Sequence, residues 1–329
     1  MDLPEFELDT SVLEDAAVPA EDRTYDLLIV GGGPAAMSAA IYAARKMLSL
    51  AVVTKDFGGQ MLETSDVENW LGFQSISGRE LAGMFGEHVK SFDISVRMNT
   101  AVREVQKEGG LFSVITADGR SYRGHAVVVA TGKRHRSLNV PGEKELVGKG
   151  VAYCATCDAP LFKEKRVVVA GGGNSAFTTA ADLLKVGAQV ILVNFLKGWQ
   201  ADGSLYERVS RYPGVDFLEN TEVVRIEGAD RVEAVVVKGR DDGDEKRIDA
   251  AGLFVEIGLL PNSDSVKDLV RLNDAGEIIV DCACRTSVKG LFGAGDVTTV
   301  PHKQIVISAG EGAKAALSAY EYLMDERLI

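Results

Sequence analysis

The sequence lacks the features that mark membrane, secreted and nucleic-acid-binding proteins. No apolar run approaches the roughly 18 residues that a membrane-spanning helix needs. The amino terminus has no basic segment followed by an apolar core, so we expect no signal peptide. Lysine and arginine total 36 against 48 acidic residues, and the formal charge of −12 disfavours nucleic acid and anionic membranes as partners. These absences predict a cytoplasmic protein.

Cysteine is also scarce, with four residues in a chain of 329. So few cysteines do not form a disulfide framework, and a closely spaced pair is then expected to be catalytic or metal-binding. The length predicts two or three domains of about 100–200 residues each. Residues 1–22 contain eight acidic side chains and no basic one. We interpret residues 1–23 as a solvated acidic arm, with a docking or regulatory role as the alternative.

Two glycine-rich βαβ patterns lie about 140 residues apart. The first runs from the apolar segment Tyr25–Val30 through an alanine-rich helix to Leu50–Thr54. The second runs from Arg166–Ala170 through a helix to Gln189–Val193. Short apolar runs rich in β-branched residues are typical of buried parallel strands. The pattern predicts an α/β fold with two Rossmann-like nucleotide-binding domains.

Each strand-to-helix turn carries the spacing of a dinucleotide-binding motif. The first glycine permits the tight turn, the second lets the backbone approach a pyrophosphate, and the third small residue allows close packing. The helix amino terminus then offers free N–H groups to the phosphates. The matching residues are Gly31, Gly33 and Ala36 in the first turn, and Gly171, Gly173 and Ala176 in the second. A turn without a ligand is the alternative, especially for the second motif.

The segment Val151–Asp158 contains a CxxC pair, Cys154 and Cys157, followed by Asp158. This spacing suits a dithiol–disulfide couple and lowers the pKa of one thiol, and Asp158 is the candidate proton donor and acceptor. A zinc site would need two more ligands, and the remaining cysteines, Cys282 and Cys284, lie more than 120 residues away. We therefore predict no metal, and we interpret Cys282 and Cys284 as packing residues of a strand.

With these motifs the chain resembles the low-molecular-weight thioredoxin reductases, and equally the reductase domains of the flavoprotein component of alkyl hydroperoxide reductase. The resemblance runs from about Tyr25 to Leu323. Further matching segments are Gly58–Gln60, Asp66–Trp70, Ala130–Gly132, Gly293–Asp296 and Lys303–Gln304. The resemblance implies an FAD-dependent disulfide oxidoreductase that passes electrons from flavin through Cys154 and Cys157 to a thioredoxin-like protein.

The resemblance also implies a domain plan and a flavin site. An FAD-binding domain of residues 24–134 plus 263–329 would be interrupted by an NAD(P)H-binding-like domain of residues 135–262 that carries the CxxC. Family members are usually homodimers, and one domain rotates against the other about two linkers, here expected near Lys133–Arg136 and Leu260–Ser263. One non-covalent FAD per chain is expected at Gly31, Gly33, Pro34, Ala35, Gly59, Gln60, Asn69, Thr131, Gly132, Gly295, Asp296, Lys303, Gln304 and Ile305. Asp296 would bind a hydroxyl of the flavin side chain, and Gln304 would lie near the ring.

The segment Asn194–Gln200 departs from the family. NADPH-dependent members carry a histidine, two adjacent arginines and a third arginine here, and these bind the 2′-phosphate. Lys197 is the only cation left in this stretch, and Asn194 stands where NADH-using relatives place a glutamate. Phe195 and Trp199 would fill the adenosine space or serve as ordinary apolar anchors. We therefore expect NADPH to be a poor donor and leave NADH open.

Other electron sources are a reduced ferredoxin, another flavoprotein or a low-potential dithiol. The alternatives to the leading function are an NADH-dependent reductase serving a thioredoxin- or peroxiredoxin-type partner, and an FAD dithiol oxidase that uses oxygen. A non-catalytic redox sensor that docks through its acidic arm is a third class.

Overall fold

The computed structural model describes residues 17–64, 67–153 and 155–329, without the side chains of Glu63, Thr156 and Cys157. Two compact units are present. The first unit comprises the described residues of Met1–Leu62, together with Trp70–Arg134 and Leu260–Ile329, and the second comprises Glu63–Asn69 and His135–Leu259. Within the described ranges, no helix combines the length and apolar character needed to cross a membrane.

The elements are numbered along the chain. The strands are β1 Thr24–Val30, β2 Leu50–Val53, β3 Ser95–Arg97, β4 Val102–Glu108, β5 Leu111–Thr116, β6 Ser121–Val129, β7 Lys133–His135, β8 Val151–Ala152, β9 Arg166–Ala170, β10 Gln189–Val193, β11 Val215–Leu218, β12 Thr221–Glu227, β13 Ala234–Gly239, β14 Glu245–Asp249, β15 Gly252–Val255, β16 Leu259–Pro261 and β17 Leu291–Gly293. The helices are α1 Pro34–Arg45, α2 Gly78–Lys90, α3 Ala155–Asp158, α4 Asn174–Lys185, α5 Gly203–Ser210 and α6 Ile305–Asp325.

A seven-stranded sheet organises the first unit, in the order β3-β2-β1-β6-β5-β4 with β17 also paired to β6. The strands β3, β2, β1 and β6 run parallel, as does β17 beside β6. Leu28 of β1 and Val127 of β6 lie opposite each other and are fully buried. Their burial explains the continuous apolar runs, because a parallel sheet covered on both faces leaves no polar side. The carboxyl ends of β1, β6 and β17 therefore meet at one edge.

The second unit has a five-stranded parallel sheet in the order β11-β10-β9-β15-β8 and an antiparallel sheet β12-β13-β14. Phe177 of α4 is fully buried, and its ring meets those of Trp199 and Phe217 at 5.3 Å and 6.1 Å. The fold class is thus as expected: two Rossmann-like units with the second inserted into the first. The assignment of residues 24–134, 135–262 and 263–329 to particular nucleotides stays a prediction.

The interpretation of Cys282 and Cys284 needs correction. The segment around them is a turn rather than a strand, because Asp281 Oδ1 accepts hydrogen bonds from the backbone N–H groups of Ala283 and Arg285. Cys284 is buried, as a packing residue should be, whereas Cys282 is exposed. Burial, followed by the hydrogen bond to Glu311, raises the pKa of Cys284 to about 12. Cys284 is therefore a poor thiolate at neutral pH.

Candidate active site

The first glycine turn lies at the edge where β1 and β6 end. Gly31 has a φ of +125°, and a Cβ added there would lie 2.3 Å from the carbonyl oxygen of Ala130. Only glycine fits, because both the backbone conformation and the space exclude a side chain. At Gly33 a Cβ would meet nothing within 4 Å. The turn is thus closed toward the neighbouring strand at Gly31 and uncrowded at Gly33, where a ligand must approach.

Helix α1 begins directly on this turn. Gly33 is the N-cap residue and provides no side-chain hydrogen bond to the helix, and Pro34 occupies the first turn. The first N–H groups of a helix lack intrahelical partners, and the helix dipole adds positive character there. A pyrophosphate can satisfy both requirements. The backbone of the first unit therefore fits the diphosphate of a dinucleotide.

Two polar side chains at the first unit's predicted flavin site add to this fit. The Nε2 atom of Gln60 is buried and has no hydrogen-bond partner among the described residues. Such a donor loses free energy unless a ligand or water accepts from it. Asp296 follows β17 and accepts a hydrogen bond of 2.9 Å from Ser308 Oγ. Loss of hydration raises the pKa of the Asp296 carboxyl. These groups suit a polar ligand such as FAD.

Among the other predicted flavin residues, Thr131 and Lys303 form hydrogen bonds within the protein, and Asn69 is exposed to solvent. Thr131 Oγ1 donates to the Asn262 carbonyl oxygen at 2.7 Å. Lys303 Nζ donates to the carbonyl oxygen of Thr298 at 2.5 Å, so its ammonium group is already engaged. Asn69 is exposed and belongs to the segment Glu63–Asn69, which is grouped with the second unit. The flavin contacts of the whole predicted set stay predictions.

The candidate thiol pair lies in the chain between the end of β8 and the end of α3. Cys154 lies outside the described residues, and Cys157 lies in α3 without a described side chain. Asp158, the last residue of α3, is buried at 8% exposure. The catalytic roles of Cys154, Cys157 and Asp158 therefore stay predictions.

The residue before Cys154 is anchored by groups that the sequence patterns did not reveal. The Tyr153 hydroxyl donates to Glu143 Oε1 at 2.9 Å, and the buried Glu143 carboxylate also accepts from the backbone N–H groups of Leu138 and Asn139. The Tyr153 ring stacks on His135 with centroids 4.5 Å apart. Burial lowers the pKa of His135 to about 4. His135, Glu143 and Tyr153 do not belong to one helix or strand, so no periodicity could have grouped them.

The second glycine turn repeats the geometry of the first. Gly171 has a φ of +146°, and a Cβ added there would lie 2.3 Å from the carbonyl oxygen of Glu256. At Gly173 a Cβ would meet nothing within 4 Å, and α4 begins at Asn174 without a side-chain cap from Gly173. The backbone of this turn also fits a pyrophosphate.

In the loop after β10, the side chain at the position expected to bind the ribose hydroxyls makes its hydrogen bonds within the loop. Asn194 is 3% exposed, and its Nδ2 donates to the Gly198 carbonyl oxygen at 2.6 Å and to Gln200 Oε1 at 3.2 Å. Its Oδ1 accepts from the N–H group of Leu196 at 3.3 Å. The Asn194 amide thus holds the loop together. A ribose hydroxyl could accept from the Asn194 amide only by displacing its bonds to Gly198 and Gln200.

The cations at this loop include one that sequence analysis missed. Lys197 Nζ forms an exposed ion pair of 2.8 Å with Asp241. The Arg240 guanidinium lies 3.8 Å from the centroid of the half-exposed Phe195 ring and donates to the Phe195 carbonyl oxygen. Lys197 is therefore not the only cation near the loop. Trp199, in contrast, is partly buried and packs against the core of the second unit.

Comparison with known proteins agrees with this geometry. Residues 25–316 match the family described as Pyridine nucleotide-disulphide oxidoreductase. The F subunit of the alkyl hydroperoxide reductase of Pseudomonas putida is 46% identical over 306 residues, which cover 92% of this chain and 59% of that protein. A protein named NADH dehydrogenase from Bacillus subtilis (strain 168) is 42% identical over 310 residues, covering 94% of this chain and 61% of its own length. The chain spans about three-fifths of the length of these relatives.

A solved structure is matched over almost its whole length. Thioredoxin reductase from Streptococcus pyogenes MGAS5005 superposes with a TM-score of 0.86 and 37% identity, covering 92% of this chain and 99% of that one. The predicted resemblance is confirmed. The family description implies both a flavin and a pyridine nucleotide. The chain belongs to the pyridine nucleotide-disulphide oxidoreductase family and is a flavoprotein disulfide reductase of the thioredoxin reductase-like type.

Proposed function

We propose that this chain passes electrons from bound FAD through Cys154 and Cys157 to a thioredoxin-like protein, and that NADPH is a poor donor. The observation that carries the choice of donor is the Asn194 loop, whose buried amide uses both of its N–H donors and accepts one hydrogen bond within the loop. Relatives named as a thioredoxin reductase and as the F component of alkyl hydroperoxide reductase support a thioredoxin- or peroxiredoxin-type acceptor. A homodimer is part of the same proposal.

The thiol chemistry assigns a role to each residue of the CxxC segment. The Cys154 thiolate attacks the partner's disulfide and forms a mixed disulfide, which releases one partner thiol. Cys157 then displaces the second partner thiol and closes the Cys154–Cys157 disulfide. Asp158 accepts and returns the proton that this exchange moves. Bound FAD, once reduced by the electron donor, would supply the two electrons that restore the dithiol.

The argument against NADPH is electrostatic. A 2′-phosphate carries close to two negative charges, and phosphate sites usually supply arginine forks. Here Lys197 is paired with Asp241, and the Arg240 guanidinium is stacked on Phe195. Each missing charge-assisted hydrogen bond costs about 1.5–3 kcal/mol, so the loss of several weakens binding by orders of magnitude.

NADH is the second candidate donor. It carries no 2′-phosphate, so it does not need the missing arginines. The Gly171–Gly173 turn keeps a geometry that accommodates a pyrophosphate, and one similar protein is named NADH dehydrogenase. NADH binding then depends on the turn and on stacking against the loop rather than on a ribose-binding carboxylate at position 194.

Anaerobic flavin spectroscopy tests the proposal. NADH, NADPH and reduced ferredoxin are added separately, and bleaching of the flavin absorbance is followed. We expect NADPH to be slower than the best donor by at least two orders of magnitude. A wild-type chain that turns over with a low-micromolar Michaelis constant for NADPH would contradict the proposal.

A gain-of-function variant sharpens the test. Phe195 and Leu196 are half-exposed, so Phe195→Arg with Leu196→Arg adds two guanidinium groups while leaving Asn194 in its loop. The NADPH rate should rise, and the NADH rate should change little. The double variant with glutamine at both positions is the matched control, because it removes the same apolar groups without adding charge. Full restoration with histidine at 194 and arginine at 200 is the next step.

A further inference from the structure

A partly buried ion cluster in the first unit joins Lys303, a predicted flavin residue, to Lys133 and Glu277, which have no role in the function proposed so far. Lys133 Nζ lies 2.5 Å from Glu277 Oε1, and Lys303 Nζ lies 3.6 Å from the same oxygen. The other oxygen of Glu277 accepts a hydrogen bond of 2.7 Å from Asn273 Nδ2. The Lys133 and Glu277 side chains are only 9% and 15% exposed. Two ammonium groups thus converge on one enclosed carboxylate.

The cluster lies at the carboxyl edge of the seven-stranded sheet. Lys133 comes four residues after the end of β6, and the N–H group of Ile278, next to Glu277, donates to the Val297 carbonyl oxygen just after β17. Lys303 is anchored to the carbonyl oxygens of Thr298 and Val300. In doubly wound sheets this edge is where ligands bind. The cluster therefore occupies the same edge as Gly31 and Asp296.

Two ammonium groups face the Glu277 carboxylate directly, and the Asp296 carboxyl group interacts electrostatically with both of them. The cluster thus concentrates several ionisable groups in a partly enclosed region. Burial lowers the pKa of Lys303, and repulsion from Lys133 adds to this. Burying charges costs free energy that a single ion pair seldom recovers, so stability alone gives weak reason for this arrangement. An electrostatic role toward a bound group accounts for it better.

We propose that Lys133 and Lys303, held by Glu277 as a positioning residue, raise the reduction potential of the flavin bound at this edge. The inference rests on the proposed FAD site. Two-electron reduction adds negative charge to the flavin ring, and nearby fixed cations stabilise that charge strongly where water is excluded. Glu277 fixes both ammonium groups and moderates their effect.

The test measures the flavin midpoint potential during slow reduction by xanthine and xanthine oxidase with a reference dye. Lys133→Met removes a positive charge, so we expect the equilibrium constant for reduction to fall about tenfold, or about 30 mV for two electrons. Glu277→Gln removes the negative charge and should shift the potential upward. Lys133→Arg keeps the charge and should stay near the wild-type value.

Lys289→Met is the matched control. Lys289 forms a 2.5 Å ion pair with Glu326, but it precedes β17 and so lies toward the opposite edge of the sheet. The potential of this variant should equal that of the wild type. If Lys133→Met does not retain FAD, Lys133→Gln, which keeps a donor for Glu277, takes its place.

The inference is overturned if the potentials of Lys133→Met and Glu277→Gln are unchanged, or if each moves against its expected direction. The FAD content of each purified variant, measured by absorbance, separates the two possible failures. Normal FAD content with unchanged potentials refutes only the electrostatic role. A wild-type chain that cannot be loaded with FAD refutes the proposed function itself.

Discussion

The two glycine turns have the same construction, but the loops that follow them differ. In the first unit a Cβ at Gly32 would lie 2.5 Å from Thr54 Oγ1, and in the second a Cβ at Gly172 would lie 2.4 Å from the Asn194 amide. In both, a backbone N–H of the next loop donates to the carbonyl oxygen of that glycine, from Gly58 in one and Gln200 in the other.

The glycine motif specifies the backbone geometry of the turn, but it does not specify which nucleotide binds there. In both units, close approach of neighbouring segments requires the first two glycines of the turn, whereas a Cβ at the third would meet nothing within 4 Å. We propose that side chains beyond the turn select the nucleotide. In the first unit the predicted flavin site includes the buried Gln60 amide and the Asp296 carboxyl. In the second, the Asn194 amide is used within its own loop.

The largest effect is expected from the thiol pair, whose loss should stop disulfide turnover without preventing flavin reduction. Cys154→Ser or Cys157→Ser should abolish disulfide turnover, because neither single thiol can complete the exchange. The flavin should still be reduced by dithionite. Turnover is followed with a thioredoxin-like substrate, and reduction by flavin absorbance. Cys282→Ala is the control and should turn over normally. Undiminished turnover in both serine variants would remove the thiol pair from the mechanism.

The next effect distinguishes the ligands of the two turns. Gly33→Ala and Gly173→Ala each place a methyl group where the protein leaves space, so both variants should fold. Gly33→Ala should weaken FAD binding at least tenfold, because the methyl group blocks the approach of the pyrophosphate. Gly173→Ala should leave FAD affinity unchanged. Fluorescence titration of the apoprotein with FAD measures both, and equal losses in the two variants would contradict the assignment of FAD to the first unit.

Acid should destabilise the second unit through His135. Its folded-state pKa of about 4 lies below the ordinary value of 6.5, so the unfolded chain binds the extra proton between these values. The contribution of neutral His135 to the free energy of unfolding is therefore fully present above pH 6.5. It falls by about 2–3 kcal/mol as the pH approaches 4. His135→Phe keeps an aromatic ring against Tyr153 and should flatten this dependence.

The fluorescence of Trp199 reports on the second unit in that experiment. The chain has two tryptophans, so a Trp70→Phe background makes Trp199 the sole emitter. Urea unfolding is compared at about pH 4.5 and about pH 7, near the lower and upper ends of the His135 titration, with and without His135→Phe. An identical pH dependence in both backgrounds would exclude His135 as the source.

The smallest effect concerns the loop after β10. Arg240→Ala removes the guanidinium stacked on Phe195, and exposed cation–π contacts contribute about 0.5–1 kcal/mol. The free energy of unfolding reported by Trp199 should fall by that amount, and FAD content should not change. Lys197→Met, which breaks an exposed ion pair, should cost less still. A larger loss on Lys197→Met than on Arg240→Ala would reverse this ranking.

The sequence predicted the repeated βαβ units well because buried parallel strands and glycine turns leave local signals. The strand predicted at Tyr25–Val30 is observed as Thr24–Val30, and Arg166–Ala170 is reproduced without change. The prediction of a strand near Cys284 was wrong, because a strand-like alternation does not reveal that Asp281 caps a turn.

The sequence by itself determined the fold class, the family and the candidate thiol pair, since each depends on residues close together in the chain. Only the tertiary structure brought Arg240 to Phe195, Glu143 to Tyr153, and both Lys133 and Lys303 to Glu277. These contacts join separate elements, and no local spacing records them. Burial matters most for the contacts of Glu143 and Glu277, because a charge removed from water must find its partners within the fold.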